Sequence, residues 1–204
     1  MTPEQRQRIV ARHRDAVMRH GYHHNALYWS SREIQELRFQ VLSEIGIVSG
    51  DSVLDVGCGF ADFYRYLQRN GIEVQYTGID LSPDLLKKGG ELSPEIELFT
   101  GDLFDFSPPA ESYDYVTLSG ALAEPMRDEG DYAKRVLKTC YNACRKGFAF
   151  NLLNGDNEWI ASRHDLQSFT PAEIKQWADD MGAGCKQRTD YLDNDFSTYI
   201  LKDS

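Results

Sequence analysis

The sequence predicts an α/β fold: a seven-stranded, mostly parallel sheet with one antiparallel strand, helices on both faces and a helical extension at the N-terminus. Three observations carry this. Apolar, strand-like runs alternate with helical segments through the middle of the chain, which is the pattern of successive βα units. The run Val53-Leu54-Asp55-Val56 passes directly into Gly57-Cys58-Gly59 and then into a segment able to begin a helix. That is how the first βα unit of a nucleotide-binding sheet begins. Near the C-terminus, the strand-like runs 186–192 and 196–201 are joined by only a few residues, including Asp193-Asn194-Asp195. Parallel strands need a long crossover, so these two must run antiparallel.

Each element follows from local signals. Thr2-x-x-Gln5, Ser30-x-x-Glu33 and Thr170-x-x-Glu173 match the capping box, in which a hydroxyl and a returning side chain satisfy orphan amides. Pro3 and Pro171 stand at first helical positions, where no N–H is missed. Helices are expected over 3–20, 31–45, 60–70, 83–91, 131–145 and 171–181, with Gly21, Gly46, Gly71, Gly147 and Gly182 as the glycines that end helices. The runs between them predict strands over 52–56, 74–79, 96–99, 113–119, 147–153, 185–192 and 196–202. Residues 1–45 precede the first strand and are expected to pack as helices over its carboxyl edge. There is no internal repeat or low-complexity stretch.

Composition narrows the function. A chain of 204 residues, 41% apolar and 26% charged, suits one soluble domain with a sizeable core. No apolar run reaches membrane-spanning length and the N-terminus has no signal-peptide core, so a cytoplasmic location is expected. Four cysteines without a C-x-x-C pair provide neither a disulfide framework nor a zinc pattern. The net charge of −10 opposes phosphate backbones, which basic surfaces attract. Arg6, Arg8, Arg12, Arg14 and Arg19 cluster in the first helix with His13 and His20; a solvated helix face is the simpler reading than a nucleic-acid patch. His20, His23 and His24 sit at a helix end, where imidazolium is favourable, and no metal is expected.

Ligands of an open α/β sheet collect beyond the carboxyl ends of its strands. Gly57 and Gly59 let the backbone approach a ligand closely. The dinucleotide fingerprint requires a third glycine where this chain has Asp62. Asp55 lies just before the turn, where it would repel a pyrophosphate and attract a cationic ligand. The second strand ends in Asp80, whose carboxylate can accept both hydroxyls of a ribose.

The turn, followed by Gly78-Ile79-Asp80-Leu81-Ser82-Pro83 and Gly101-Asp102-Leu103, resembles the class I S-adenosylmethionine-dependent methyltransferases. The resemblance covers nearly the whole chain, with its specific motifs between 53 and 124. It implies a Rossmann-like methyltransferase domain over 46–204 with a helical extension or lid over 1–45. It also implies S-adenosyl-L-methionine as cofactor, held in its methionine part around Asp55, Gly57 and Gly59, with Leu81 beside the adenine and Asp102 and Leu103 at the adenine edge. Ser119 and the residues up to Glu124 would face the transferable methyl group. The segment Tyr28-Trp29-Ser30-Ser31, followed by Arg38-Phe39, resembles the arm of small-molecule methyltransferases. Trp29 would then reach the cofactor, and Arg38 would either pair with the methionine carboxylate or lie on a helix surface.

Two departures matter. Ala61 replaces a glycine of the family pattern, and the Asn/Asp-Pro-Pro-aromatic motif of amino-methylating nucleic-acid enzymes is absent after the fourth strand. The expected reaction is in-line methyl transfer to a small-molecule O, N or S acceptor, releasing S-adenosyl-L-homocysteine. Alignment of the reactants supplies much of the rate. Glu124, His164 and the His23/His24 pair are candidate bases for an acceptor that starts protonated. The stretch Asn151 to Asn154, which ends the fifth strand, and Tyr191 are candidates to line the acceptor pocket. Two rival readings are a cofactor-binding regulatory subunit without catalysis and a tRNA or DNA methyltransferase. A nicotinamide-dependent dehydrogenase is opposed by the missing third glycine.

Overall fold

The computed structural model describes residues 1–202. Helices α1 (Pro3–His20) and α2 (Arg32–Ser43) flank a 3-10 turn at His24–Leu27 and precede β1 (Ser52–Val56). Then come α3 (Asp62–Arg69), β2 (Gln75–Asp80), α4 (Pro83–Leu92), β3 (Glu97–Thr100), α5 (Leu103–Phe106) and β4 (Tyr113–Ser119). The chain continues through α6 (Asp131–Ala143), β5 (Cys144–Leu153), α7 (Glu158–Ala161), α8 (Pro171–Asp180), β6 (Cys185–Arg188) and β7 (Asp195–Leu201).

The seven strands form one sheet in the order β3-β2-β1-β4-β5-β7-β6. Five of them pair in parallel, while β7 runs antiparallel to both β5 and β6. The single reversed strand is therefore inserted inside the sheet. Strand order reverses between β1 and β4, and this is the point where open α/β sheets receive ligands.

Alternation along the strands builds a core on each face. Leu54, Val56, Val116, Leu118, Phe148 and Phe150 point to the side covered by Val136 and Leu137 of α6 and Ile174 of α8. Val53, Tyr115, Ala149 and Tyr199 point the other way, to Phe39 and Leu42 of α2 and Phe63 and Leu67 of α3. A smaller cluster of Ala16, Ala26, Phe60 and Leu85 joins α1 to α4.

Local chemistry explains where the elements depart from expectation. The capping boxes at Thr2 and Thr170 form, but α2 is capped by the Ser31 hydroxyl, which accepts from the Ile34 amide, rather than by Ser30. Gly147 ends no helix. It lies within β5, paired with Leu201 on one side and Tyr115 on the other, because α6 stops at Ala143 and the strand begins at once. A side chain at Gly147 would come within 2.9 Å of Ile45 Cδ1, so close packing against the end of α2 selects glycine there. β6 stops at Arg188, short of the expected 192. The one-turn helix α5 went unrecognised in the sequence although Asp102 and Asp105 build a capping box around it.

Candidate functional site

A cavity of about 680 Å³ opens beyond the carboxyl ends of β1, β2, β4 and β5, roofed by α1 and by the segment leading into α2. Trp29, Arg38, Asp55, Gly57, Gly59, Asp80, Leu81, Asp102, Leu103, Ser119 and Glu124 all line it. The turn after β1 is pinned to its neighbour: the Gly57 and Cys58 amides both donate to the Ile79 carbonyl, at 2.8 and 3.0 Å. Gly57 and Gly59 have φ of +74° and +57°, a left-handed conformation that favours glycine. Ala61 shares that conformation at φ +60°, which costs a non-glycine residue roughly 1–2 kcal/mol. Its methyl is fully buried beside α3, and that burial offsets part of the strain.

Asp80 is fixed by two backbone amides. Its Oδ2 accepts from Gly59 at 2.9 Å and its Oδ1 from Ser82 at 2.8 Å. Each oxygen keeps acceptor capacity for a ligand hydroxyl. Burial raises the Asp80 carboxyl above its usual range, and burial lowers the imidazolium of His13. His13 projects from α1 into the same cavity. It is not part of the solvated helix face expected for the first helix. Its spacing from the buried Ile9 and Ala16 follows the helical repeat and marks it as part of the inward face.

Asp55 lies beneath the turn at the edge of the cavity, with both carboxylate oxygens engaged. Tyr76 donates to its Oδ2 at 2.5 Å and Thr117 to its Oδ1 at 3.1 Å. Burial raises its carboxyl to about 6, against the lowering effect of these two hydroxyls. Asp102 is likewise engaged: its Oδ1 caps α5 through the Phe104 and Asp105 amides, and its Oδ2 takes a guanidinium N–H from Arg6 at 2.6 Å.

Arg38 is buried, so the helix-surface reading is excluded. Its Nε and Nη2 both reach Asp195 Oδ2, at 2.9 and 2.8 Å, and its guanidinium lies 4.5 Å from the centre of the Trp29 ring. Tyr191 donates to the other Asp195 oxygen. The terminal carbons of Trp29 rest on Gly120, where a Cβ would come within 2.7 Å. Asn151, at the end of β5, accepts from the Gly120 amide at 2.9 Å and donates to Ser119 Oγ at 3.1 Å. The strand-four edge is thus held from above by an aromatic ring and from the side by an amide.

Residues 53–147 match a methyltransferase-domain family. The matched segment runs from β1 into β5 and holds the glycine turn, Asp80 and Asp102. Over 116 residues it is 33% identical to a demethylmenaquinone methyltransferase of Listeria welshimeri, a stretch that is 54% of this chain and 47% of that protein. The chain therefore spans about half the length of the curated relatives it matches. In structure it is similar to a SAM-dependent methyltransferase of Archaeoglobus fulgidus, with a TM-score of 0.67 at 16% identity over 84% of this chain and 95% of that one. The DhpI-SAM-HEP complex has the same TM-score at 15% identity and covers 97% of this chain and 96% of that one.

Neither of the two expected bases is an unpaired side chain lining the cavity. Glu124 lines the cavity, but Arg8 Nη2 takes its Oε1 at 2.7 Å and Arg12 Nη1 its Oε2 at 2.8 Å. His164 lies outside the cavity, exposed on the turn after α7. His23 and His24 pack against each other, ring centroids 4.1 Å apart. Among the described residues no group of three or more His, Cys, Asp or Glu side chains is arranged to hold a metal ion. No described helix is long and apolar enough to cross a membrane.

Asp62, at the position of the absent third glycine, anchors the N-terminal extension. Tyr22 and Arg65 donate to its Oδ1 at 2.7 and 2.6 Å, Arg32 at 3.2 Å, and Gln35 to its Oδ2 at 3.1 Å. Burial alone would raise the Asp62 carboxyl; Tyr22 and the guanidiniums of Arg65 and Arg32 hold it below its usual range.

Proposed function

We propose that the protein is an S-adenosylmethionine-dependent methyltransferase acting on a small-molecule O, N or S acceptor, and that residues 1–45 serve as its lid. The observation that carries this reading is the convergence of Asp80, Asp102, the glycine turn and Ser119 on one roofed cavity. The donor set suits the cofactor: Asp80 presents carboxylate oxygens for ribose hydroxyls, and the Asp102–Leu103 corner faces the same space as Leu81. Bound there, S-adenosylmethionine supplies an activated methyl group. Trp29, Gly120 and Asn151 shape the edge where the acceptor would be aligned, and α1 covers it from water. With Glu124 paired to two arginines, catalysis rests on alignment and desolvation more than on a carboxylate base.

Three of the five arginines of α1 are engaged with carboxylates at the cavity side. Arg6 pairs with Asp102 and Asp105, and Arg8 and Arg12 pair with Glu124. This favours a small acceptor over tRNA or DNA. Four free cysteines fit a reducing, cytoplasmic setting. Calorimetric titration with S-adenosylmethionine tests the reading. Binding is expected, and Asp80→Ala should weaken it about tenfold or more, the scale of a lost charge-assisted hydrogen bond. Binding of NADH in place of S-adenosylmethionine overturns it.

A further inference from the structure

Beside the main cavity lies a second, more open cleft between the start of α1, the loop that follows β4, and the turn after α7. Its walls are tied together. Gln5 Nε2 donates to the Met126 carbonyl at 3.1 Å, and the Gln167 amide donates to the Ala123 carbonyl at 2.8 Å. Arg12, Glu124 and Asp165 line both the cleft and the main cavity, so the two spaces adjoin.

Three arginines line the cleft in a protein of net charge −10. Arg8, Arg12, Arg127 and His164 line it, against Glu4, Glu124 and Asp165. Arg163 engages Asp165 through two hydrogen bonds of 2.7 and 2.6 Å. With Arg163 counted beside its partner Asp165, the guanidiniums outnumber the carboxylates by one even with His164 neutral. Arg8 and Arg12 each keep N–H donors beyond those given to Glu124.

Arg127 is the most telling member. It is exposed and makes no hydrogen bond or ion pair among the described residues. Its backbone nonetheless adopts φ +56°, a conformation that costs a non-glycine residue of order 1 kcal/mol and that recurs at ligand sites.

The geometry points to this cleft as an oxyanion subsite. It takes the carboxylate or phosphate end of the methyl acceptor while the acceptor's reactive atom lies in the adjoining cavity, an assignment that rests on the methyltransferase reading. Guanidinium forks match the oxygen geometry of both anions. The acceptor class is thereby narrowed to small anionic molecules whose charged group is remote from the methylated atom.

The test is a titration of the full-length ¹⁵N-labelled protein with inorganic phosphate, and separately with acetate, each against chloride at equal ionic strength. The arginine Nε–Hε resonances report binding. Saturable shifts at Arg127, with phosphate or with acetate, are expected, and Arg127→Gly should weaken that binding at least tenfold. Glycine also relieves the backbone, so the loss cannot be assigned to a damaged fold; Arg127→Lys should restore part of it. Shifts that never saturate, that chloride reproduces, or that survive Arg127→Gly overturn the subsite. Calorimetry with S-adenosylmethionine on the same samples separates the two claims. Cofactor binding without anion binding removes only the subsite, and absent cofactor binding removes the methyltransferase reading.

Discussion

The two helices of the N-terminal extension are fastened in opposite ways. α2 is held by buried pairs: Arg38 and Asp195 keep only 6% and 3% of their side-chain surface exposed, and Asp62 gathers Tyr22, Arg32, Gln35 and Arg65. α1 is held by pairs whose cations face water. Arg6 is 37% exposed, Arg8 58% and Arg12 45%. Its apolar attachment to the sheet domain is the small cluster around Ala16, Phe60 and Leu85, whereas α2 contributes Phe39, Val41 and Leu42 to one of the two main cores. Exposed ion pairs are weak and screened by salt, while a broken buried pair leaves an uncompensated charge. The extension is thus two devices. In the proposed reading, α2 belongs to the rigid body and α1 is the cover that lifts from the cavity it roofs.

The largest effect expected from this contrast is at Asp195. Asp195→Ala leaves the Arg38 guanidinium buried without its partner and should cost about 3–5 kcal/mol in denaturant unfolding. A loss below about 1 kcal/mol, the scale of a surface pair, would erase the distinction between the two helices.

A second test uses pH beneath the glycine turn. Burial raises the Asp55 carboxyl from 3.8 to about 6 in the folded protein, so the folded state binds this proton more tightly than the unfolded chain. Its contribution to stability then falls as pH rises from about 4 to about 6, by at most roughly 3 kcal/mol, and stays low above that range. Asp55→Asn should flatten this slope in unfolding curves collected across the window. An unchanged slope means that Asp55 is not its source.

Gly120→Ala comes next. It combines a strained φ of +67° with a Cβ placed 2.7 Å from the Trp29 ring. A cost of roughly 1–2 kcal/mol is expected from the backbone, with a change in tryptophan fluorescence as the ring leaves its stack on Arg38. Unaltered fluorescence would show that the ring is not held there.

The smallest effect belongs to α1. Arg8→Ala should lower stability by less than about 1 kcal/mol, yet it should speed amide exchange throughout α1, and added salt should do the same to the unaltered protein. If exchange in α1 is as slow as in α2 and unmoved by salt, α1 is not a separable cover.

Much of this was legible in the residues. Strand spans at 52–56 and 113–119 and the reversed pair at the C-terminus follow from apolar periodicity and connection length, which are local and depend little on context. The cavity-lining positions from Asp55 to Ser119 were legible for a related reason: in a parallel sheet, residues that end successive strands must meet at one edge. Three features were decided only in three dimensions. Asp195 claims Arg38, two arginines of α1 claim Glu124, and Asp62 converts the position of a missing glycine into the anchor of the extension. Each joins residues far apart in the chain, and no sequence period encodes which carboxylate a guanidinium will find. The sequence by itself determined a sheet whose strand ends meet at one cavity along its carboxyl edge. The tertiary structure decided which charged side chains there remain free, because pairing and burial depend on what the fold brings alongside.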